Sequence, residues 1–337
     1  MAGHPFVSII IPALNEEKTI VRTLEAIGNL ETSTDQYEVI LVDNGSTDST
    51  VDVARGLKKK FRLTVLSKSD GNISALRNYG AKFATGSILA FLDADCIVEK
   101  NWLPEAVRAF NELGGENKRL TRESVAAVGA SHQIPEDSSW VAKVWHLKRT
   151  NDVKPREARW LPSGNMFVLK EAFAQIGGFD EGLETNEDCD LCYRLTEGGY
   201  KIFSVPTVKA VHLRAPQTMR EFFRKELWHG KDVFKVFLES GVRFRNLRAV
   251  GFALFYVACL VGVGIGLVLC VVGGSCLPML TSVLLSLAFP SLLALRTCCR
   301  KKQYRSFLPL VLIYSVYGVA RAFCVLNFRW LQRRSIK

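Results

Sequence analysis

The sequence lacks internal repeats and low-complexity linkers, and its nine cysteines form no pattern of paired metal ligands. Cys189 and Cys192 make a single C-x-x-C, whereas a structural zinc site needs a second pair of ligands. We therefore predict that Cys189 and Cys192 are packing residues. The nine cysteines are scattered, and six of them lie at or beyond Cys259, so no disulfide framework is expected. The hydrophobic fraction of 48% excludes a disordered or fibrous chain.

One long stretch of the chain, Ala249–Leu295, has no charged side chain. It is long enough for two spanning helices, because one such helix needs about 20 apolar residues. Gly273 and Gly274 predict the break between the two helices. A third apolar segment, 307–328, is interrupted by Arg321. We expect this segment to cross the membrane in whole or in part, and a position in the membrane interface is the alternative.

The distribution of charge predicts how the chain lies in the membrane. The N-terminus has no basic region followed by a long apolar stretch, so no secretory signal peptide is expected. The basic residues that flank the uncharged stretch are Arg243, Arg245, Arg248, Arg296, Arg300, Lys301, Lys302 and Arg305. Because basic flanks stay inside, the N-terminal domain is expected in the cytoplasm. Much of the net charge of +11 lies near these segments, which predicts membrane lipids and no nucleic acid as partner.

The chain before the uncharged stretch alternates between short apolar strands and helices. The first strands are expected at Phe6–Ile11, Tyr37–Val42, Leu63–Leu66 and Ile88–Leu92. Such apolar runs, rich in β-branched residues, are typical of parallel strands that are buried on both faces. The alternation predicts an α/β sheet. An amphipathic helix, Gln217–Leu238, is expected to lie along the bilayer surface.

Acidic side chains follow three of these four strands. Glu16 follows the first strand, Asp43 the second, and Asp93 and Asp95 the fourth. In open α/β sheets, ligands bind outside the carboxyl ends of the strands. Two carboxylates at positions i and i+2 on this edge suit Mn²⁺ or Mg²⁺ bound to a diphosphate. We therefore predict a metal that neutralises charge on a phosphate leaving group, and helix capping is the alternative role for these acids.

Several segments, taken in order, resemble family 2 glycosyltransferases with the GT-A fold. Phe6–Glu16 is similar to their opening strand, Val42–Asp48 to their second strand and turn, and Asp93-Ala94-Asp95 to their metal motif. Gly177–Glu181, followed by Glu187–Asp188, is similar to their acceptor and catalytic-base region. The resemblance implies an α/β class GT-A nucleotide-sugar-binding domain, followed here by C-terminal transmembrane helices.

The resemblance also implies a role for each matching residue on the donor side. The residues that would line the nucleotide pocket are Pro12, Ala13, Asn15 and Glu16. Asp43 would contact the base or ribose, and Arg77 would lie near the nucleotide-sugar. Asp93 would approach the ribose or donor sugar, and Asp95 would bind the metal. His212 is either another metal ligand or a solvated histidine at a strand end. The donor is expected to be a UDP-sugar, with a GDP-sugar as the alternative.

On the acceptor side, the resemblance implies that Asp188 is the general base and that Glu187 assists or positions it. An acceptor hydroxyl attacks the anomeric carbon, a carboxylate takes its proton, and one displacement inverts the configuration. Arg224 would hold the donor diphosphate or a lipid phosphate, or it belongs to a basic membrane-facing surface. Processive members of the family carry Gln-x-x-Arg-Trp here. This chain has Arg224–Trp228 instead, which argues against a synthase that extrudes a polymer.

These observations predict an inverting, metal-dependent glycosyltransferase that acts on a lipid-linked or glycan acceptor at the cytoplasmic membrane face, in cell-surface or exopolysaccharide assembly. The alternatives are a polyprenyl-phosphate glycosyl synthase, a catalytically inactive scaffold of a glycan assembly complex, and a nucleotidyltransferase. The expected divisions of the chain are a catalytic domain (1–215), an interface helix with a basic connector (216–248), a transmembrane hairpin (249–295), a basic cytoplasmic loop (296–306) and a third membrane-associated segment with a basic tail (307–337).

Overall fold

The computed structural model describes residues 6–58, 60–114, 120–147, 153–232 and 244–332, without the side chains of 244–249 and 327–332. The chain divides into two compact units. The first unit consists of Met1–Glu136 and Asn151–Arg214, and the second of Asp137–Thr150 and Ala215–Lys337.

The first unit holds the strands of the described chain. They are β1 (Val7–Ala13), β2 (Tyr37–Asp43), β3 (Leu63–Ser67), β4 (Ile88–Leu92), β5 (Cys96–Val98), β6 (Val125–Gly129), β7 (Arg156–Glu157), β8 (Asn165–Leu169), β9 (Lys201–Ser204) and β10 (Ala210–His212). Eight of these strands form one sheet in the order β3-β2-β1-β4-β8-β6-β9-β7. The α/β sheet predicted from the alternating pattern is therefore present.

The pairing of the strands changes direction in the middle of the sheet. β3, β2, β1 and β4 are parallel, whereas β8 pairs antiparallel with both β4 and β6. A second, two-stranded sheet pairs β10 antiparallel with β5, so that His212 lies opposite Cys96. The carboxyl end of β4 and the end of β10 consequently meet at the same edge of the unit.

Helices cover both faces of the main sheet. They are α1 (Ile20–Gly28), α2 (Thr50–Gly56), α3 (Ile73–Phe83), α4 (Trp102–Leu113), α6 (Lys170–Gln175) and α7 (Glu187–Glu197). Every residue of β1, β2 and β4 is buried, as expected for strands that are covered on both sides. α1 and α4 pack on one face, and α3, α6 and α7 pack on the other. The buried indole N–H of Trp102 donates a hydrogen bond to Asn165 Oδ1 (2.7 Å), which satisfies a polar group inside the core.

The second unit is helical. It contains α5 (Trp140–His146), α8 (Met219–His229), α9 (Phe244–Val271), α10 (Leu277–Lys301) and α11 (Phe307–Gln332). Three segments are long and apolar enough to cross a membrane: Val250–Val271, Leu277–Lys301 and Tyr304–Leu326. The first two segments agree with the hairpin expected from the uncharged stretch.

The helix α11 passes through Arg321 without a break, although Arg321 interrupts the apolar sequence. The Arg321 guanidinium donates a hydrogen bond to Glu226 Oε2 of α8 (2.8 Å) and lies 4.8 Å from the centroid of the Tyr317 ring. The charge is thus paired within the protein, which lowers the cost of its burial. α8 ends at His229, and residues 233–238 of the predicted amphipathic helix lie outside the described residues.

One disulfide joins two cysteines in the described part of the chain. Cys270 and Cys276 form a disulfide across the turn between α9 and α10. Gly273, with a φ of 81°, reverses the chain there and brings the two Cα atoms to 4.8 Å, within the range that a disulfide spans. The bond closes one short turn and does not constitute a disulfide framework.

Candidate active site

The turn after β2 forms one wall of the site. The Asp43 carboxylate accepts hydrogen bonds from the backbone N–H groups of Gly45 (3.0 Å) and Ser46 (3.1 Å). Gly45 has a φ of 80°, which favours glycine. Pro12 and Ala13 end β1 beside this turn, and Ala13 pairs in register with Asp43. Asp43 therefore shapes the turn in this structure, and its contact with a nucleotide stays a prediction.

Asn15 and Glu16 follow β1 at the same edge. Asn15 Oδ1 accepts a hydrogen bond from the backbone N–H of Thr47 (2.9 Å), which ties the loop to the turn after β2. Glu16 Oε2 accepts hydrogen bonds from the Thr19 hydroxyl and from Arg214 (2.6 Å each). Burial raises the pKa of Glu16, and Thr19 and Arg214 oppose that shift. The fold thus fixes both predicted pocket residues in place.

Arg77 of α3 lies at the centre of the site. Its guanidinium is 2% exposed and donates hydrogen bonds to Asp93 Oδ1 (2.7 Å) and to Glu187 Oε1 (2.8 Å). Burial disfavours the charge on Arg77, but the two carboxylates outweigh burial and raise its pKa. Burial also opposes ionisation of Asp93, and Arg77 nevertheless holds the pKa of this carboxyl below its usual value. One buried cation therefore joins the metal motif to the catalytic-base region.

A histidine that is absent from the residues predicted from the sequence lies beside Asp93. His132 follows β6, and its neighbour Gln133 makes two backbone hydrogen bonds with β10. The Gln133 N–H donates to the Ala210 carbonyl (2.8 Å), and the His212 N–H donates to the Gln133 carbonyl (3.0 Å). The rings of His132 and His212 are 5.4 Å apart. Position after a strand end, the signal that identified the acidic residues, applies to His132 as well.

The backbone at Gly164 lies close to the side chains of Asp93 and His132. A Cβ atom at Gly164 would overlap Asp93 Oδ2 and would lie 3.0 Å from His132 Nε2. Only glycine leaves space for the Asp93 carboxylate at this position. Asp93 is therefore held between Arg77 on one side and the loop of Gly164 on the other.

Two groups of side chains at this edge have the separations of metal ligands. Asp93, Asp95 and His212 offer ligand atoms within 4.8 Å of one another, and so do Asp93, Cys96 and His132. The first group supplies two hard oxygens and one imidazole nitrogen, which suits Mn²⁺ and, less well, Mg²⁺. Burial raises the pKa of the Cys96 thiol well above its usual value, and a protonated thiol is a poor ligand. The first group is therefore the better candidate.

Glu187 and Asp188 begin α7 at the opposite side of Arg77. Glu187 Oε1 accepts hydrogen bonds from Arg77 and from the Ser163 hydroxyl (2.9 Å). Asp188 Oδ1 accepts a hydrogen bond from the backbone N–H of Cys189 (2.7 Å). Burial and the charge of Glu187 raise the pKa of Asp188 to about 7, although a hydrogen bond with the Trp160 side chain opposes the shift. Asp188 thus has the pKa of a general base for neutral pH.

The glycine-rich loop before α7 is anchored to α3. Asn78 Nδ2 donates to the Phe179 carbonyl (2.8 Å), and Asn78 Oδ1 accepts from the Phe179 N–H (2.9 Å). Asn72 Nδ2 donates to the carbonyls of Glu181 (2.7 Å) and Leu183 (2.9 Å). Because Arg77 stands on the same helix, α3 positions both the loop and the two acids that follow it.

The fold brings together the predicted residues of the first unit. Asp93, Asp95 and His212 share one corner, and Arg77 connects that corner to Glu187. Arg224 lies on α8 in the second unit, and its role at the donor stays a prediction.

Comparison with known proteins places the chain among transferases. Residues 8–170 match the model of the family described as glycosyl transferase family 2. A glycosyltransferase of Haloferax volcanii, AglE, is 28% identical over 253 residues, which are 73% of this chain and 79% of that protein. The beta-monoglucosyldiacylglycerol synthase of Nostoc is 31% identical over 204 residues, which are 57% of this chain but only 41% of the synthase.

A solved structure is similar over nearly the whole chain. It is the mannosyltransferase PcManGT of Pyrobaculum calidifontis in complex with GDP-Man and Mn²⁺. The TM-score is 0.63 at 19% sequence identity, and the match covers 98% of this chain and 88% of that one. At this identity the likeness concerns the fold, and it confirms the GT-A class of the sheet domain with its C-terminal apolar helices.

Proposed function

Residues 8–170 belong to glycosyl transferase family 2, and from that premise we propose that the protein is an inverting glycosyltransferase that transfers a sugar from a nucleoside-diphosphate donor to a lipid-linked or glycan acceptor. The observation that carries the proposal is the buried bridge Asp93–Arg77–Glu187, which connects a candidate metal corner to the residue next to Asp188, a carboxyl group of raised pKa. These are the two groups that inverting sugar transfer needs, one for the leaving diphosphate and one for the attacking hydroxyl.

The different partners of Glu187 and Asp188 support a different role for each acid. Glu187 is committed to Arg77 and Ser163, so it is not available to accept a proton. Its negative charge beside Asp188 raises the pKa of Asp188. Asp188 takes the proton of the acceptor hydroxyl as the hydroxyl oxygen bonds to the anomeric carbon, and the bond from that carbon to the diphosphate breaks. A single displacement of this kind inverts the anomeric configuration.

The residues that would hold a divalent metal are Asp95, Asp93 and His212. Their ligand atoms lie close enough for one ion, and their oxygen and nitrogen donors fit Mn²⁺. When bound, such an ion neutralises the charge that develops on the leaving diphosphate. The complex of PcManGT with Mn²⁺ and a nucleotide-sugar supports this assignment. UDP is the donor nucleotide that we propose first, and GDP, which PcManGT binds as GDP-Man, is tested beside it.

The acceptor is proposed to be presented at the cytoplasmic face of a membrane. The Nostoc relative is named for a diacylglycerol product, which supports a lipid acceptor for this chain as well. Basic residues lie at the start of α9 and at the end of α10. The disulfide Cys270–Cys276 lies at the turn between the two helices, at the opposite end of the hairpin. Basic flanks stay in the cytoplasm, and disulfides persist in oxidising compartments. Both signals favour a cytoplasmic position for the sheet domain, which precedes α9 in the chain.

A donor screen on the purified full-length protein tests the proposal. Release of nucleoside diphosphate is measured from UDP-glucose, UDP-N-acetylglucosamine and GDP-mannose, with Mn²⁺ or Mg²⁺ and with membrane lipid extract as acceptor. We expect release from one donor that requires both the metal and Asp95. Asp95→Ala is the disabled variant, and Asp52→Ala, which removes an exposed acid of α2, is its matched control. Absence of turnover with every donor, in folded protein, would favour an inactive scaffold.

One variant separates the two proposed classes of acceptor. A lipid phosphate ionises without help, whereas a hydroxyl needs a base to take its proton. Asp188→Asn is therefore expected to lower transfer to a hydroxyl acceptor by about 10²- to 10⁴-fold. Transfer that survives this substitution would identify a polyprenyl-phosphate glycosyl synthase instead.

A further inference from the structure

The helix α8 presents two different faces along its length. The buried residues, at spacings of four, are Phe222, Glu226 and Gly230. The exposed residues on the opposite side, at the same spacing, are Arg220, Arg224 and Trp228. Residues four apart lie above one another on a helix, so each set forms a continuous stripe. We call the exposed set the α8 stripe.

Contacts with α11 fix the orientation of α8. Glu226 is buried and accepts a hydrogen bond from Arg321 at 2.8 Å. One turn beyond Arg321 on α11, the Cys324 thiol donates a hydrogen bond to the Leu227 carbonyl of α8 (3.3 Å). A Cβ atom at Gly230 would overlap the Cys324 sulfur, so the two helices meet closely there. Rotation of α8 would leave the charges of Glu226 and Arg321 buried without each other, which is costly. The α8 stripe is therefore held away from α11.

The helix α11 in turn contacts the hairpin near its basic flanks. The Tyr314 hydroxyl is 2.9 Å from Thr297 Oγ1, close to the basic residues Arg300 and Lys301 at the end of α10. Gly318, one turn farther along α11, lies against α9, because a Cβ atom there would overlap the Tyr256 ring.

Farther from these flanks, large apolar side chains of α9 and α10 are exposed, as they are in helices that face lipid. They include Ile265, Val268, Val271, Leu280 and Leu284. These side chains mark the part of the hairpin that faces lipid.

The charges on α8 decide the level at which it meets the membrane. Arg220 and Arg224 are exposed, and neither has an acidic partner among the residues that the structure describes. Exposed, unpaired arginines are costly in the hydrocarbon layer and favourable among phosphate headgroups. Trp228, which is 47% exposed on the same stripe, is a residue type that is enriched at the membrane interface. The α8 stripe consequently belongs at headgroup level.

We propose that the α8 stripe binds the phosphates of anionic phospholipids in the membrane surface. The guanidinium groups of Arg220 and Arg224 complement the lipid phosphates in charge and in the geometry of their paired N–H donors. Trp228 adds an apolar anchor one turn away. This surface belongs to the second unit, whereas Asp93, Arg77 and Glu187 belong to the first, and the inference does not depend on which sugar the enzyme transfers. It favours a lipid phosphate for Arg224 over the donor diphosphate, which the sequence left open as the other ligand.

Native mass spectrometry of the full-length protein in detergent tests the proposal. The bound lipids are counted while phosphatidylglycerol or phosphatidylcholine is titrated. Arg220→Gln/Arg224→Gln is compared with Arg22→Gln/Arg55→Gln, which removes the same charge from exposed positions on α1 and α2. Because each basic residue at a lipid surface contributes about a fivefold factor, the first variant is expected to bind phosphatidylglycerol about 25-fold more weakly. The control variant and the affinity for phosphatidylcholine are expected to stay unchanged.

Two results would overturn the proposal. One is full retention of phosphatidylglycerol affinity in Arg220→Gln/Arg224→Gln. The other is an unchanged lipid affinity together with a raised donor KM in Arg224→Gln, which would identify a donor contact.

A second measurement serves if the double variant does not fold. In nanodiscs that contain phosphatidylglycerol brominated on its acyl chains close to the glycerol, the wild type is expected to lose more tryptophan fluorescence than Trp228→Phe, because bromine quenches an indole that inserts beside it. Equal quenching in the two proteins would refute the assignment, and Arg220→Lys/Arg224→Lys is expected to behave as the wild type.

Discussion

At the scale of single residues, the adjacent acids Glu187 and Asp188 have different partners and therefore different proposed roles. Glu187 is bound by Arg77 and Ser163, whereas Asp188 is half-buried next to that charge. The sequence Glu187-Asp188 identifies a pair of acids, but it does not say which of them is the base. The partners of the two carboxylates favour Asp188, because a group with a raised pKa keeps its affinity for a proton at neutral pH.

The raised pKa leads to a prediction about activity and stability in one variant. Asp188→Asn is expected to lower transfer to a hydroxyl by about 10²- to 10⁴-fold. It is also expected to raise the melting temperature at neutral and alkaline pH. The pKa of Asp188 rises from 3.8 to about 7 on folding, so ionisation weakens the fold progressively between these values and fully above pH 7. Asparagine has no such cost.

The measurement is the melting temperature of both proteins from pH 4 to pH 8. The advantage of the variant is expected to grow with pH up to about 7 and then to level off. Asp52→Asn, which changes an acid that is 87% exposed, is expected to show no such trend. A gap of the same size at pH 4 and pH 8 would contradict the raised pKa.

His132 is expected to support metal binding through Asp93. Loss of a residue that orients a ligand commonly weakens metal affinity by about 10- to 100-fold. We therefore expect His132→Gln to bind Mn²⁺ that much more weakly, as measured by the electron paramagnetic resonance signal of free Mn²⁺ during a titration. Cys96→Ser is the matched control from the same group of side chains, and its affinity is expected to stay unchanged. Equal losses in both variants would instead assign the metal to the second group.

At the scale of elements, the parallel strands β1, β2 and β4 are close to those predicted, because a strand buried on both faces leaves a continuous apolar run. The antiparallel insertion of β8 between β4 and β6 carries no such signal. Strand direction depends on the path of the connections, and the side-chain pattern of a buried strand is the same in both directions. His132 follows a strand end as the acids do, but its place beside Asp93 depends on the pairing of Gln133 with β10, which the side-chain pattern does not show.

Two adjacent glycines in the loop before α7 are expected to differ in how well they tolerate alanine. Gly177 and Gly178 both have positive φ angles, 78° and 73°. A Cβ atom at Gly178 would lie 2.7 Å from Asn78 Oδ1, whereas one at Gly177 would meet open space. Alanine is expected to cost about 1–2 kcal/mol at either position through its backbone conformation, and more at Gly178 because of the overlap.

The comparison is made by thermal unfolding and by the KM of the acceptor. Gly178→Ala is expected to lower the melting temperature further than Gly177→Ala does, and to raise the acceptor KM, because it displaces the loop from α3. If the two variants unfold at the same temperature, the close contact with Asn78 is not a constraint on this loop.

At the scale of the whole molecule, charge and disulfide chemistry mark opposite ends of the membrane hairpin. Cys276 takes part in the disulfide at the turn, and Cys299 is a free, exposed cysteine at the other end of α10. A helix of this length, about 1.5 Å per residue, is sufficient to cross the hydrocarbon layer. The two cysteines therefore report on the two sides of the membrane.

Labelling with a membrane-impermeant maleimide tests this topology in cells. In a variant that keeps only Cys276, the thiol is expected to react in intact cells. In a variant that keeps only Cys299, reaction is expected only after permeabilisation. The reverse pattern would place the sheet domain outside the cytoplasm and would contradict the proposed membrane face.

The sequence by itself determined the α/β class, the two apolar helices of the hairpin and the acids at the strand ends, because each of these depends on local patterns of burial and charge. The tertiary structure alone decided which side chains meet. It joined Asp93 to Glu187 through Arg77, added His132 to the metal corner, and paired Arg321 with Glu226. These residues are far apart in the chain, and the pKa values and contacts that set their chemistry arise only when packing removes water and brings the charges together.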